Sequence, residues 1–178
     1  VGLSGPQAAG AARKSLVIIG ATDALLLLGV LLYWQASGST HLAGQGAGPL
    51  QLDSPLTYIA LLCFLAAALA KAGAVPFHSW VPDFGEMADA PTSAYLPASL
   101  DKLLGIYLLA RCVMDLFELT RGLYLALMAL GAVTIIAAVL MALVQHDLKR
   151  LLSYHAVSQV GYMVLGIGTG TAIGLAGG

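Results

Sequence analysis

The stretch Leu56–Asp83, LTYIALLCFLAAALAKAGAVPFHSWVPD, decides the fold. Its first part, Leu56–Ala74, is largely apolar but contains the amine Lys71, and Pro76 and Pro82 follow closely. Proline lacks an amide hydrogen and clashes with the preceding turn, so these two residues predict a broken helix. A charge at the bilayer centre costs roughly 2.5 to 3.5 kcal/mol, so an amine there needs a partner or a water path. The stretch therefore predicts a broken membrane helix of the kind that binds ions and waters at its break.

The composition indicates that the protein lies in the lipid bilayer. Hydrophobic residues make up 59% of the chain, charged residues make up 10%, and the mean hydropathy is +0.88. Because only helices and closed barrels satisfy the backbone in lipid, and no segment alternates as barrel strands do, the predicted class is all-α, a polytopic bundle. Runs of about 20 apolar residues can cross the hydrocarbon core. The predicted spans are Ser15–Trp34, Leu56–Val81, Ala94–Met114, Gly122–Val144 and Ala156–Gly178.

The spans fill most of the chain, so we predict a single membrane domain over residues 1–178 with one loop outside the membrane at residues 35–55. Within that loop, residues 44–48 (GQGAG) superficially resemble a phosphate-binding turn. No strand precedes them and no Lys-Ser or Lys-Thr follows, so a flexible loop is the better interpretation. The chain begins at Val1 and stops in an apolar run, which is typical of a fragment of a larger subunit.

The distribution of charge is more informative than the net charge of −1, which gives no indication of nucleic-acid binding. Arg13 and Lys14 precede the first predicted span, and Lys149 and Arg150 precede the last. With five spans, both basic pairs lie on the same side of the membrane. The positive-inside rule places that side in the cytoplasm.

Asp23 lies well inside the first predicted span, between isoleucines and leucines. Its carboxylate must therefore be protonated or partnered, and Lys71 is the natural partner. Such a pair could switch its protonation state. For Asp23, the alternative is a static buried ion pair. For Lys71, the alternative is a position near the end of the span, from which its long side chain reaches the membrane surface.

Lys102 is a second amine predicted to lie at depth, in the third span, next to Asp101. Successive helical residues point about 100° apart, so the Asp101 and Lys102 side chains cannot pair with each other. Each therefore needs an interaction partner on another helix. The alternative is that they only complement a helix dipole or a membrane interface.

His155 and His78 complete the candidate set for proton relay. His155 stands one residue before the last apolar run, and His78 lies in the predicted break. Lysine suits a relay because burial makes its ammonium easier to deprotonate near neutral pH. Both histidines could equally be satisfied interfacial residues.

Two motifs resemble the signature of the antiporter-like subunits found in respiratory complex I, Mrp-type sodium/proton antiporters and membrane-bound hydrogenases. The first is KAGAVPFHSWVPD at residues 71–83, followed by APTSA at residues 90–94. The second is DLKRLLSY at residues 147–154, followed by SQVGYM at residues 158–163, which is similar to the turn between that family's two inverted repeats. The resemblance runs from about Arg13 to the end and implies the family's sixth to tenth helices.

The resemblance also implies roles for single residues. Lys71 matches the lysine of the family's broken helix. Asp23 matches an acidic residue that several members have on the preceding helix, and Lys102 matches the lysine of the next helix. The sequence LPASLDKLLGIY at residues 96–107 is most similar to that of the energy-converting hydrogenase and formate hydrogenlyase branch. Another branch has a histidine where this chain has Pro97. The family's glutamate before the first span and its second broken helix have no counterpart in these residues.

The implied function is translocation of protons, or of sodium, by a membrane subunit of a redox-driven complex. The chain itself would carry no catalytic chemistry and no cofactor. Iron-sulfur or nickel-iron centres would lie in peripheral redox subunits, because Cys63 and Cys112 have no cluster-binding spacing. Further partners would be other membrane subunits and the lipid bilayer, and the expected location is a prokaryotic cytoplasmic membrane.

Three other functions are weighed against this one. A subunit of an Mrp-type sodium/proton antiporter would need no redox partner. A haem-binding membrane cytochrome would use His78 and His155 as axial ligands. An inert membrane scaffold would tolerate the loss of Lys71, Lys102 and Asp23.

Overall fold

The computed structural model describes residues 8–39 and 49–178, and these residues form helices joined by short turns. The all-α prediction is confirmed. The helices are α1 (Ala8–Ser37), α2 (Pro55–Ala72), α3 (Trp80–Met87), α4 (Ala90–Tyr95), α5 (Asp101–Arg111), α6 (Arg121–Leu143), α7 (Leu148–Gly168) and α8 (Ala172–Gly177).

Within the described residues, three segments are long and apolar enough to cross a membrane: Ala8–Ser37, Pro55–Met87 and Arg121–Leu143. They correspond to the first, second and fourth predicted spans. The third predicted span is divided into shorter helices. The fifth is α7, which is long enough to cross but has a larger share of polar residues than the other three.

The start of α7 corrects the sequence-based boundary, which was placed at Ala156. The helix begins eight residues earlier, at Leu148, because the Asp147 side chain caps it by accepting a hydrogen bond from the Arg150 backbone N–H at 2.9 Å. An N-cap aspartate stabilises a helix start even where the first turn is basic. Lys149, Arg150 and His155 therefore lie inside the helix and not before it.

The second span is broken, as predicted, and Pro76 lies inside the break, but a glycine ends the helix before it. Gly73 ends α2 with a left-handed conformation (φ 79°), which glycine adopts without steric cost. The Gly73 and Ala74 N–H groups then bond back to carbonyls of the last turn of α2. Pro76 lies in the turn that follows, before a short 3-10 helix at Phe77–Ser79.

Pro82 was predicted to contribute to the break and does not. It lies in the first turn of α3, where backbone N–H groups have no partner within the helix. A proline there costs no hydrogen bond, and its fixed φ suits a helix start. The span therefore continues past Pro82 to Met87.

The third span is irregular in a way that the sequence did not predict. Two π-helical turns, Leu96–Leu100 and Cys112–Leu116, flank α5. Single π turns are frequent at functional sites. The first of them ends directly before Asp101, so the two charged residues of this span follow an interrupted helix.

Close backbone approaches connect the helices. Gly131 of α6 faces α7 so closely that a β-carbon there would lie 2.6 Å from the Leu165 nitrogen, and Gly161 of α7 faces α6 in the same way. Small residues allow membrane helices to approach in this manner. α7 also packs on α3 and α5, and α1 packs on α2.

Aromatic packing joins α1, α2 and the segment after α5. Tyr33, Phe64 and Phe117 are buried and meet edge to face, with ring centroids 5.6 to 6.3 Å apart. Leu50 pairs with the backbone of Leu116 and Glu118, which fixes the end of the predicted loop at residues 35–55. Residues 44–48 lie outside the described part of the chain.

Gly105→Ala should destabilise the protein by about 1 to 3 kcal/mol, the usual cost of overpacking. Its new β-carbon would lie 2.6 Å from the Ala68 carbonyl oxygen and against the Ala72 backbone, so α2 and α5 must separate. Gly20→Ala is the control, because nothing lies within 4 Å of a β-carbon there. Thermal unfolding of the purified protein in detergent measures both. Equal midpoints for the two variants would contradict the close approach of α2 and α5.

Candidate functional site

An ion pair joins α1 to the end of α2. The Lys71 ammonium lies 2.6 Å from Oδ1 of Asp23, so the structure brings together the two residues that the sequence suggested as partners. Oδ1 is itself buried, and within the described residues it has no hydrogen bond of good geometry besides this ion pair. Lys71 is 19% exposed and Asp23 is 45% exposed. The amine is therefore the buried member, and the carboxylate lies at an open side of the site.

The packing of α1 on α2 produces this pair. Gly29 lies against Cys63 and Phe64, so the two helices approach closely one and a half turns from Asp23. Lys71 stands in the last turn of α2, directly before the break at Gly73. The pair is therefore placed where a helix stops inside the span.

Asp101 extends the site to α5. The charges of Lys71 and Asp23 both act on the Asp101 carboxyl group, although the structure records no ion pair for it. Lys71, the basic residue that influences Asp101, belongs to another helix. Lys102 is half-buried, and the described residues give it no ion pair. The structure therefore groups Asp23, Lys71 and Asp101, with Lys102 next to the group in sequence but without a contact to it.

Two side chains bind the backbone that the break exposes. The Trp80 indole N–H donates a hydrogen bond to the Ala70 carbonyl oxygen at 3.0 Å. The Val75 N–H donates to the Thr134 hydroxyl oxygen of α6 at 3.3 Å. Backbone groups freed in a membrane must find such partners, because lipid offers none. Sequence reasoning missed both residues, although an indole inside the break was a signal for Trp80.

The two predicted histidines do not join the ion pair. His155 is exposed on α7. His78 is half-buried in the 3-10 turn, with a buried Nδ1 that has no hydrogen-bond partner among the described residues. The structure records no contact between the two imidazoles in the described part of the chain, so it gives no support to a pair of haem ligands.

A network of ion pairs connects α1, α3 and α7 at one end of the bundle. Lys14 lies 2.6 Å from the Asp83 carboxylate, and Arg150 lies 3.6 Å from the same carboxylate and 3.0 Å from Glu86. Lys149 donates to the Ala88 carbonyl oxygen at the end of α3. The basic residues that the sequence placed on one side of the membrane thus meet, and their acidic partners on α3 were not foreseen.

A largely apolar cavity of about 280 Å³ lies between α3, α4 and α7. Pro97, Gly85 and Ser153 are among its lining residues. Pro97 occupies the place where another branch of the resembled family has a histidine. This wall therefore offers no titratable ring.

The arrangement is suited to moving a cation by electrostatics. A buried ammonium with one partially exposed carboxylate partner depends on that partner for its charge, because burial alone favours the neutral amine. A second carboxyl group, Asp101, lies within electrostatic range on the other side.

Comparison with known families follows from this geometry. The family model described as NADH:quinone oxidoreductase/Mrp antiporter, TM matches residues 3–177. The chain belongs to this family. The resemblance seen in the sequence motifs is therefore confirmed, and it extends somewhat further toward the start than Arg13.

Individual relatives agree with the family assignment. NADH-quinone oxidoreductase subunit N 2 of Solidesulfovibrio magneticus is 38% identical over 173 residues, which is 95% of this chain and 36% of the relative. A solved structure of the Mrp complex from Dietzia sp. DQ12-45-1b has a TM-score of 0.84 and 32% identity, over 95% of this chain and 19% of that one. A solved structure of respiratory complex I from Thermus thermophilus has a TM-score of 0.74 and 31% identity, over 93% of this chain and 35% of that one.

The chain spans about a third of the length of the curated relative, 36%. It is an antiporter-like, integral membrane member of the family. The relatives carry the names of complex I and Mrp proteins, so the closer likeness to the hydrogenase branch remains a prediction from residues 96–107.

Asp23→Asn should destabilise the protein, because it leaves the buried Lys71 ammonium without its partner. Combining it with Lys71→Met should cost less than the two single changes added together, with a coupling of about 0.5 to 3 kcal/mol. Asp115→Asn is the control: its pair with Arg111 joins neighbouring turns of one helix at the surface, where such pairs contribute about 0.3 to 0.5 kcal/mol. Thermal unfolding in detergent measures the stability of every variant. Additive effects at Asp23 and Lys71 would show that the pair is not coupled.

Proposed function

We propose that the chain is the proton-translocating part of a membrane subunit in a redox-driven complex, with Lys71 as the proton carrier. One observation carries the proposal: the Lys71–Asp23 pair lies at a helix break inside a membrane span. Ionisable residues within a span are costly and mark ion pathways. Family membership supports the same conclusion, because the relatives are named as complex I and Mrp proteins.

The first step is release of the proton from Lys71. While Asp23 lies 2.6 Å away, its negative charge stabilises the ammonium. When Asp23 moves away or is neutralised, the ammonium loses that stabilisation and the proton leaves through water. The 45% exposure of Asp23 gives this carboxylate room to move, whereas the more buried amine is held by the end of α2.

Charged residues of α5 set the direction in which the proton moves. Asp101 already interacts electrostatically with Lys71, so it attracts a released proton toward α5. Lys102 is the adjacent amine, half-buried and without an ion pair in the described part of the chain, and it accepts the proton when it is in its neutral form. We assign Lys71 as donor, Asp101 as the attracting charge and Lys102 as acceptor. His78 and His155 remain candidates without an assigned step.

The complex around the chain follows from the relatives. NADH-quinone oxidoreductase and Mrp complexes are the named assemblies, so we expect other membrane subunits beside this chain. Electron transfer would occur in peripheral subunits with iron-sulfur or nickel-iron centres. We place the assembly in a prokaryotic cytoplasmic membrane, with the Lys14, Asp83 and Arg150 network on the cytoplasmic side.

An Mrp-type sodium/proton antiporter is the second candidate. The observation that favours it is the TM-score of 0.84 with the Dietzia Mrp complex. The two functions differ in their companions: iron in the purified assembly indicates a redox-driven pump, nickel indicates the hydrogenase branch, and metal-free membrane companions indicate an antiporter. An inert scaffold is less well supported, because charged groups inside a membrane span are costly and apolar packing could join α1 to α2 without them.

Lys71→Ala should abolish proton translocation by the whole complex in proteoliposomes without preventing its assembly. The alanine keeps the helix but removes the group that carries the proton. Arg121→Ala is the control, because Arg121 is an exposed cation at the start of α6. Assembly is checked by the masses of the co-purified subunits, and translocation by a pH-sensitive dye.

Retained translocation in assembled Lys71→Ala complexes would refute the carrier role. Loss of translocation in both the Lys71 and Arg121 variants would show only that charge removal damages the complex. The proposal requires the two variants to differ.

A further inference from the structure

The break exposes two backbone groups that bracket Lys71 in the chain. Ala70, directly before it, presents a carbonyl oxygen, and Val75, four residues after it, presents an N–H. Trp80 binds the first from within the same broken span. The second is bound by Thr134, which is 59 residues away in sequence and belongs to α6.

Thr134 is held rigidly for this contact. Its side chain is fully buried, with 0% exposure. Its hydroxyl donates to the Leu130 carbonyl oxygen at 2.7 Å, so the lone pairs of the oxygen remain available to accept from the Val75 N–H. One turn earlier in α6, Gly131 packs directly on the backbone of α7. The hydroxyl therefore has a fixed position relative to the α6–α7 pair.

A buried threonine that bonds its own helix is not unusual in itself. Thr22 of α1 provides the comparison: it is buried, and within the described residues its hydroxyl donates only to the Ile18 and Ile19 carbonyl oxygens of its own helix. Thr134 does the same with Leu130 and also accepts the Val75 N–H from the break. The second bond is the feature that a purely helical role does not explain.

We propose that Thr134 is a positioning residue for Lys71, acting through the backbone of the break. This inference rests on the proposed carrier role of Lys71. By holding Val75, the hydroxyl fixes the chain just after the end of α2 to α6, and so fixes the distance from the Lys71 ammonium to Asp23 and Asp101. It also links the proton carrier to the α6–α7 pair, so that a shift of α6 would displace Lys71.

The test uses two substitutions of nearly equal shape and opposite chemistry. Thr134→Val keeps the branched side chain and removes the hydroxyl, whereas Thr134→Ser keeps the hydroxyl. Thr22→Val is the matched control, since it removes a buried threonine hydroxyl that has no partner outside its own helix. Thr134→Ala is measured beside the valine variant, so that a packing defect of one does not decide the result. Each is measured as proton translocation per assembled complex in proteoliposomes.

The valine and alanine variants should lower translocation by about tenfold or more, since a misplacement of about 1 Å in a positioned reaction can cost about 100-fold. The serine variant should restore most of the rate, and Thr22→Val should resemble the wild type. Rates are expressed per assembled complex, so a merely structural role, which lowers the amount of complex, would not produce this pattern.

Two results would overturn the inference. One is wild-type translocation by Thr134→Val while Lys71→Ala translocates nothing, which leaves the carrier role intact and removes the positioning role. The other is equal loss with serine and valine, which would show that keeping the hydroxyl does not preserve the rate. Translocation that persists in Lys71→Ala would instead refute the proposed function itself.

Discussion

A helix that stops inside a membrane leaves backbone groups that lipid cannot bind, and the rest of this structure is arranged around that constraint. Gly73 turns the chain with a left-handed conformation, and the Gly73 and Ala74 N–H groups bond back to α2. Trp80 and Thr134 bind two backbone groups at the break, the Ala70 carbonyl oxygen and the Val75 N–H. Only with these partners in place can the end of α2 present a buried amine at a fixed height in the membrane.

α1 is bound by ion pairs to both halves of the broken span. Near its middle, Asp23 pairs with Lys71 at the end of α2, and near its start Lys14 pairs with Asp83 in the first turn of α3. Arg150 connects the same Asp83 to α7. The two halves of the span are therefore held to a common helix through charged groups, whose interactions respond to protonation in a way that apolar packing does not.

Sequence reasoning was successful where the signal was local or strongly apolar. The composition and the long apolar runs predicted a helical membrane bundle, and a lone amine before Pro76 predicted the break. The pairing of Asp23 with Lys71 followed because each was an isolated charge in an apolar span. The motif at residues 71–83 predicted the family that the comparisons confirm.

The failures have physical causes. Pro82 was assigned to the break because a proline can end a helix or begin one, and only the position of the preceding turn decides which. The start of α7 was placed too late because an N-cap at Asp147 allows basic residues into a helix that hydropathy alone would exclude. Thr134 could not be found at all, since its partner is a backbone N–H far away in sequence.

The most direct test of a proton carrier at the break is the distance from the Lys71 ammonium to the Asp23 carboxylate in the whole complex, determined by electron cryomicroscopy at rest and during turnover. The account predicts the ion pair at rest and a second population during turnover in which the two groups have separated. A single population with the pair intact under both conditions would contradict it.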